Sequence, residues 1–235
     1  MKPEQIAFLV DYDGTIATTD VTDELVKMTA SEAQWLELDS AYRRGEMGSR
    51  AVLEAETGLL PRHVADLPDI DQEHDPAFVP FVRDARRHGI VVEVVSDGLG
   101  FFVGPAIAAL GLPDVAVYTA ALEFGAGGPA ITFPNGHPTC RLCGTCKRER
   151  ILRHQEAGRH VVFVGDGYSD RYAVSHADTV FAKGDLAAIC DGLGRRYEKW
   201  TTFSDVHAWL DRALTGGLPG PVARPFVCGP EVGRG

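Results

Sequence analysis

The chain has 235 residues, of which 45% are hydrophobic, so it can bury a sizeable core in one large domain, or in a core carrying an insertion, without disulfide or metal staples. Its 33 acidic and 23 basic residues give a net charge of -10, which argues against broad binding to nucleic acid or to an anionic membrane. No run approaches the roughly 18 apolar residues of a membrane span, and the first apolar run is too short for a signal sequence, so a cytoplasmic location is expected.

The first element is a buried strand over residues 6–10, "IAFLV", which runs into "DYDGT". If the extended geometry persists, Asp11 and Asp13 point to the same side. Two carboxylates about 4 Å apart repel by roughly 4 kcal/mol at an effective dielectric near 20, so the pair calls for a cation or a shared proton. Residues 17–72 then read as a helical block. Asp20 caps a segment containing Val21, Leu25 and Met28, "SEAQ" forms a capping box ahead of Trp35, and a third segment follows Ser49.

At "DPAFVPFVRDARRHG" the expected N-cap is Asp75, with Pro76 at the first helical position and a stop at Gly89. A strand over 90–95 ends in "SDG" at 96–98, a helix spans 101–110, and a strand over 115–118 leads into a Gly-linked hairpin within "EFGAGGPAITF". A helix over 147–156 opens on Lys147, and an apolar strand over 161–164 runs into "GDGYSD". This alternation predicts a Rossmann-like three-layer α/β core, formed by 1–16 and 73–215, around a parallel sheet. The small helical cap is inserted after the first strand at 17–72, and 216–235 is an extended, flexible tail rich in Gly and Pro.

Five cysteines are an odd count that suits a reducing compartment. His137, Cys140, Cys143 and Cys146 have a spacing that resembles a metal-ligand set, but no second Cys/His pair at zinc spacing accompanies them. The favoured reading is therefore a loop of reduced thiols.

Three strand ends carry polar clusters, and in a parallel sheet such ends share one edge, where open α/β sheets bind ligands. Asp11, Asp13, Ser96, Asp166 and Asp170 would converge there. Four carboxylates in one cleft require a cation, and hard oxygen donors select Mg²⁺, which in turn accompanies phosphate. Phosphoryl transfer fits the residue types: a carboxylate as nucleophile, Ser96 and Lys147 as donors to the phosphoryl oxygens, and a second carboxyl as general acid and base. Alone, Asp-x-Asp-Gly is commonly a surface turn, Ser96 a cap and Lys147 a solvated helix residue. Their occurrence together and in order reverses that reading.

The set Asp-x-Asp-Gly-Thr, Ser, Lys, Gly-Asp-Gly-x-x-Asp resembles the four motifs of the haloacid dehalogenase-like phosphatases, over nearly the whole chain. The helical block after the first motif is similar to the cap of the phosphoserine phosphatase-like branch. Within that branch "SDGLGFFVGP", "CGTCK" and "GDGYSD" with "VFAKGD" look most like the methionine-salvage phosphatases acting on 2-hydroxy-3-keto-5-methylthiopentenyl-1-phosphate. The resemblance implies that Asp11 is the nucleophile and Asp13 the general acid and base. It implies that Mg²⁺ is held by the Asp11 carboxylate, the Asp13 backbone carbonyl and Asp166, with Asp170 in support. Ser96, Gly98 and Lys147 would hold the phosphoryl group, and Asp97 stands where many relatives have glycine.

The expected activity is hydrolysis of a small phosphorylated metabolite through an aspartyl-phosphate, with a sugar or keto phosphate as substrate. Phosphoserine is the runner-up, with Asp20 and Arg50 of the cap as candidate contacts. A dehalogenase needs neither Asp13 nor a metal, and a non-catalytic phosphate- or metal-binding protein would not need every chemical role filled.

Overall fold

Five apolar residues without a polar interruption form β1 (Ile6–Val10), buried on both faces as a central parallel strand must be. In the computed structural model, which describes residues 3–218, β1 lies between β2 (Val91–Leu99) and β5 (His160–Gly165), parallel to both. The sheet is completed by β3 (Ala116–Gly125), β4 (Gly128–Thr132), β6 (Thr179–Ala182) and β7 (Glu198–Lys199), in the order β4-β3-β2-β1-β5-β6-β7. Only β4 runs antiparallel, in the predicted hairpin with β3. The chain moves outward from β1 through β2 and β3, then returns to β5 on the other side of β1. The topological switch therefore lies between β1 and β5, at whose carboxyl ends a ligand site is expected.

Alternation along β1 assigns its side chains to two helical layers. Phe8 and Val10 face α4 (Phe78–Arg87), α5 (Gly100–Ala109) and α8 (Phe203–Gly216), where the Phe8 ring meets Phe81 edge-on at 4.9 Å and Trp209 at 6.1 Å. Leu9 faces the opposite layer, among Ile151 of α6 (Lys147–Glu156), Phe163 and Leu186 of α7 (Gly184–Leu193). Each fully buried aromatic of this kind contributes about 1.5–3 kcal/mol, so the core alone holds β1 and its terminal carboxylates in place. The α/β fold with helices on both faces is the one the sequence predicts.

The block between β1 and α4 is helical as predicted. It comprises α1 (Val21–Thr29), α2 (Glu32–Arg43) and α3 (Ser49–Thr57). Asp20 caps α1 by accepting from Asp23 N–H, and Ser31 forms a capping box with Gln34 at the start of α2. Leu25 and Leu53 pack with Leu60 on Leu99, Ala120 and Leu122, so the block sits over the carboxyl ends of β2 and β3. Where the block leaves and rejoins the core, the Tyr12 hydroxyl donates to Gln72 at 2.5 Å and lies 2.8 Å from His74 Nε2. Among the described residues, no helix is long and apolar enough to cross a membrane.

Three boundaries differ from expectation, and one further element appears. β2 continues through Ser96-Asp97-Gly98 to Leu99, because after a register shift Leu99 pairs with Ala120 of β3. α4 starts at Phe78, two residues after Pro76, since the Asp75 carboxylate accepts from Ala77 N–H at 2.9 Å in a turn and from Phe203 N–H at 2.7 Å. The segment after "GDG" is a 3-10 helix, Tyr168–Ser175, and α8 continues to Gly216. The predicted tail thus begins no earlier than Gly217, and 219–235 lie outside the described residues.

Asp75 is 7% exposed and joins the starts of two helices, so its removal leaves the Phe203 N–H without an acceptor. Asp75→Ala is expected to destabilise the fold by about 1–3 kcal/mol. Urea denaturation should show a lower midpoint with an unchanged slope.

Candidate active site

The β1 ladder ends when Asp11 N–H donates to Val164 O at 2.9 Å, and the chain then folds back on the Tyr12 carbonyl, which accepts from Thr15, Ile16 and Ala17. This turn presents Asp11 and Asp13 on one edge. Asp11 Oδ1 accepts from Tyr12 N–H at 2.8 Å, and Oδ2 accepts from Lys147 Nζ at 2.8 Å. Lys147, the first residue of α6 and only 4% exposed, also donates to Ser169 Oγ at 3.1 Å and to Asp170. Burial opposes the charge on Lys147, but Asp11, Asp170 and Asp97 outweigh it and raise its pKa well above the ordinary range. Asp170 is fully buried, and its other oxygen accepts from the N–H groups of Asp166 and Gly167. One ammonium thus ties together the ends of β1 and β5 and the start of α6.

Asp13 turns the other way, accepting from Val21 N–H at 2.9 Å and from Thr22 Oγ1 at 3.4 Å at the start of α1. Burial and the Asp11 charge push its carboxyl up to about 7. Asp166 accepts from Thr15 Oγ1 at 2.6 Å, and burial with the Asp11 charge pushes it up to about 6. Oxygens of Asp11, Asp166 and Asp170 lie within 4.8 Å of one another. One lysine does not neutralise this set, and a hard divalent cation would.

Ser96 is 1% exposed and its Oγ accepts from Gly98 N–H at 3.0 Å, while Asp97 Oδ1 accepts from Thr145 N–H at 2.6 Å and its carboxyl is raised by burial. A Cβ on Gly98 would stand 2.4 Å from Asp13 Oδ2 and 3.2 Å from Ser96 Oγ. Gly14 has φ +66, and a Cβ there would collide with the Asp166 carboxylate at 2.2 Å. Both glycines let carboxylates approach backbone where no side chain fits.

These groups open into a cavity of about 420 Å³ between the sheet edge and the helical block. Asp11, Asp13, Ser96, Asp97, Gly98, Asp166 and Asp20, all named from the sequence, line it. Lys147 and Asp170 stand behind Asp11 rather than on the wall. Arg50 is not among the lining residues, and its guanidinium lies buried over the Phe133 ring at 4.5 Å. Helical periodicity places Arg50 in the block but does not say which neighbour its side chain meets. Thr15, Ser169, Tyr42 and Glu56 carried no expectation as site residues, although Thr15 and Ser169 lie inside the quoted motifs. Tyr42 and Glu56 belong to helices without a motif. His137, Cys140, Cys143 and Cys146 line one small cavity beside Lys147. Their donor atoms are not gathered at ligating spacing, and His137 Nδ1 accepts from the N–H groups of Thr139 and Cys140.

The model of the haloacid dehalogenase-like hydrolase family matches residues 8–175. The chain belongs to that family. Among curated relatives, the 2-hydroxy-3-keto-5-methylthiopentenyl-1-phosphate phosphatases of Brevibacillus brevis and an Exiguobacterium species are 28% and 26% identical to this hydrolase, each covering 86% of the chain and 94% and 95% of their own length. A phosphoserine phosphatase solved as a phospho-aspartyl intermediate analogue superposes with TM-score 0.65 at 18% identity, over 89% of this chain and 99% of its own. A haloacid dehalogenase family hydrolase of Salmonella enterica gives 0.67 at 16% identity, over 91% and 73%. These two likenesses are of fold.

Gly98→Ala should push the Asp13 carboxylate off its position, and a displacement near 1 Å at reacting groups lowers turnover by roughly 100-fold. Steady-state hydrolysis by the variant, with circular dichroism to verify folding, checks this.

Proposed function

We propose that the protein is a Mg²⁺-dependent phosphomonoesterase that transfers the phosphoryl group of a small metabolite to Asp11 and then to water. The observation that carries this reading is the pairing of two unlike carboxyls two residues apart. Asp11 is held next to a buried ammonium, while Asp13 has a carboxyl pushed up to about 7. The first has the character of a nucleophile and the second that of an acid able to give and retake a proton near neutral pH.

In the first half-reaction Asp11 Oδ attacks phosphorus in line and the ester P–O bond breaks. The Asp13 carboxyl gives its proton to the departing alkoxide. In the second, the Asp13 carboxylate takes a proton from water, which attacks the phosphorus, and Asp11 leaves as a carboxylate. Ser96 and Gly98 line the same cavity and are assigned to the phosphoryl oxygens, the Gly98 N–H orienting the Ser96 hydroxyl. Lys147 is assigned to neutralising charge on Asp11 and on the transferred group. Asp11, Asp166 and the Asp13 carbonyl would hold Mg²⁺, with Asp170 positioning the Asp166–Gly167 loop through its two N–H contacts. When bound, the ion supplies Lewis-acid neutralisation of phosphoryl charge. Residues 17–72 are assigned to a cap over the core of 1–16 and 73–215, excluding water and meeting the organic part of the substrate. The relatives' names, all of phosphatases acting on small molecules, support the substrate class.

Asp11→Asn keeps the size of the side chain and removes the nucleophilic charge, so turnover of p-nitrophenyl phosphate with Mg²⁺ should fall below detection with the fold retained. Activity of more than a few per cent, with deamidation excluded by mass spectrometry, would take Asp11 out of that role.

Metal binding should be linked to pH. Asp13 and Asp166 hold protons in the fold up to about 7 and 6, which the unfolded chain releases near pH 4. These two groups therefore contribute stability to the metal-free fold that is full below the unfolded value and is lost as pH rises through about 4 to 7. A divalent cation replaces those protons, so Mg²⁺ should raise the melting temperature more at about pH 8 than at about pH 5, by roughly 2–4 °C for each extra kcal/mol of binding. EDTA should abolish both this shift and turnover; an equal shift at the two pH values would contradict the assignment.

A further inference from the structure

The wall that the helical block contributes to the cavity forms a strongly acidic end. Asp20, Asp23, Asp39 and Glu56 line it from α1, α2 and α3, and Arg43 is the cation they share it with among the lining residues. That arginine is already engaged. Its Nε donates to both oxygens of Asp39 at 2.9 and 3.0 Å, and its Nη1 donates to Asp185 at 2.5 Å. Asp23 has a counter-charge in Lys27 at 3.6 Å.

Glu56 has none. It is 7% exposed, accepts no hydrogen bond from any described residue, and is faced by Asp23, Asp39 and Asp13, each of which disfavours its charge. It also lies in the last turn of α3, where the backbone dipole presents its negative end. Burial, neighbouring charge and helix position all oppose a carboxylate here, and a ligand cation would answer all three.

Resting on the phosphatase reading, we propose that the ester hydrolysed here is the phosphate of an amino alcohol, whose ammonium is bound by Glu56 on α3 at the acidic end of the cavity. An amino-acid substrate does not fit equally well. Its carboxylate would enter among Asp20, Asp23 and Asp39, where the lining cation Arg43 is already paired and Arg50 is not on the cavity wall.

The test compares O-phosphoethanolamine, its neutral counterpart 2-hydroxyethyl phosphate, and phosphoserine, with Mg²⁺ present, in wild type and Glu56→Gln. Wild type should favour phosphoethanolamine over the other two by at least about 10-fold in kcat/KM, the scale of one buried charged hydrogen bond. Glu56→Gln should lose about 10- to 150-fold on phosphoethanolamine, chiefly in KM, and stay within about two-fold on 2-hydroxyethyl phosphate. Equal use of the charged and neutral esters by wild type, an equal loss on both in the variant, or a preference for phosphoserine overturns the proposal. If no ester at all is turned over, the phosphatase reading fails separately. Calorimetric titration of the same esters into wild type then still decides whether the cavity prefers an ammonium, and equal affinities refute it.

Discussion

The contact on which the rest of the site depends is the ammonium of Lys147 buried against Asp11 and Asp170. Removing the lysine would leave two buried carboxylates uncompensated and destabilise by roughly 3–5 kcal/mol, so it fixes both of them in place. Their geometry follows from the sheet. Asp11 ends β1, Asp170 follows the end of β5, and Lys147 opens α6, which packs beneath both strands. The acidic surplus left over, Asp13 and Asp166, is the charge that a bound cation would offset at this edge.

Around that contact the backbone is shaped to let charges approach one another. The left-handed Gly14 leaves room for Asp166, and Gly98 leaves room for Asp13. Thr15 of this turn and Val21 at the start of α1 then fix the two carboxylates. The like charges persist because hydrogen bonds and the core hold the strands regardless of their repulsion, a strain paid elsewhere in the fold.

The end of the cavity assigned to phosphate was legible in the sequence, because each of its groups sits within a few residues of a strand end or opens a helix. "DYDGT", "SDG", Lys147 and "GDGYSD" are local patterns, and the parallel sheet brings them to one edge. The organic end was not legible in the same way. Arg50 and Glu56 lie on one helix, six positions apart, and only packing shows that one is turned toward Phe133 and the other toward the cavity. The boundaries of β2 and α4 were hidden for a related reason. Ser96-Asp97-Gly98 is a poor strand sequence that the neighbouring strand β3 extends to Leu99, and Asp75 is drawn to the distant Phe203 N–H.

The first turn of α3 is fastened to the loop that delivers Lys147. Arg50 N–H donates to Leu142 O at 3.3 Å, Gly144 N–H donates to Ser49 Oγ at 3.2 Å, and Thr145 N–H is held by Asp97 two residues before Lys147. A hinge at α3 would therefore pull on the same loop that seats the lysine. The helix that carries Glu56 and the lysine that meets Asp11 are thus coupled through one short loop, residues 142–147.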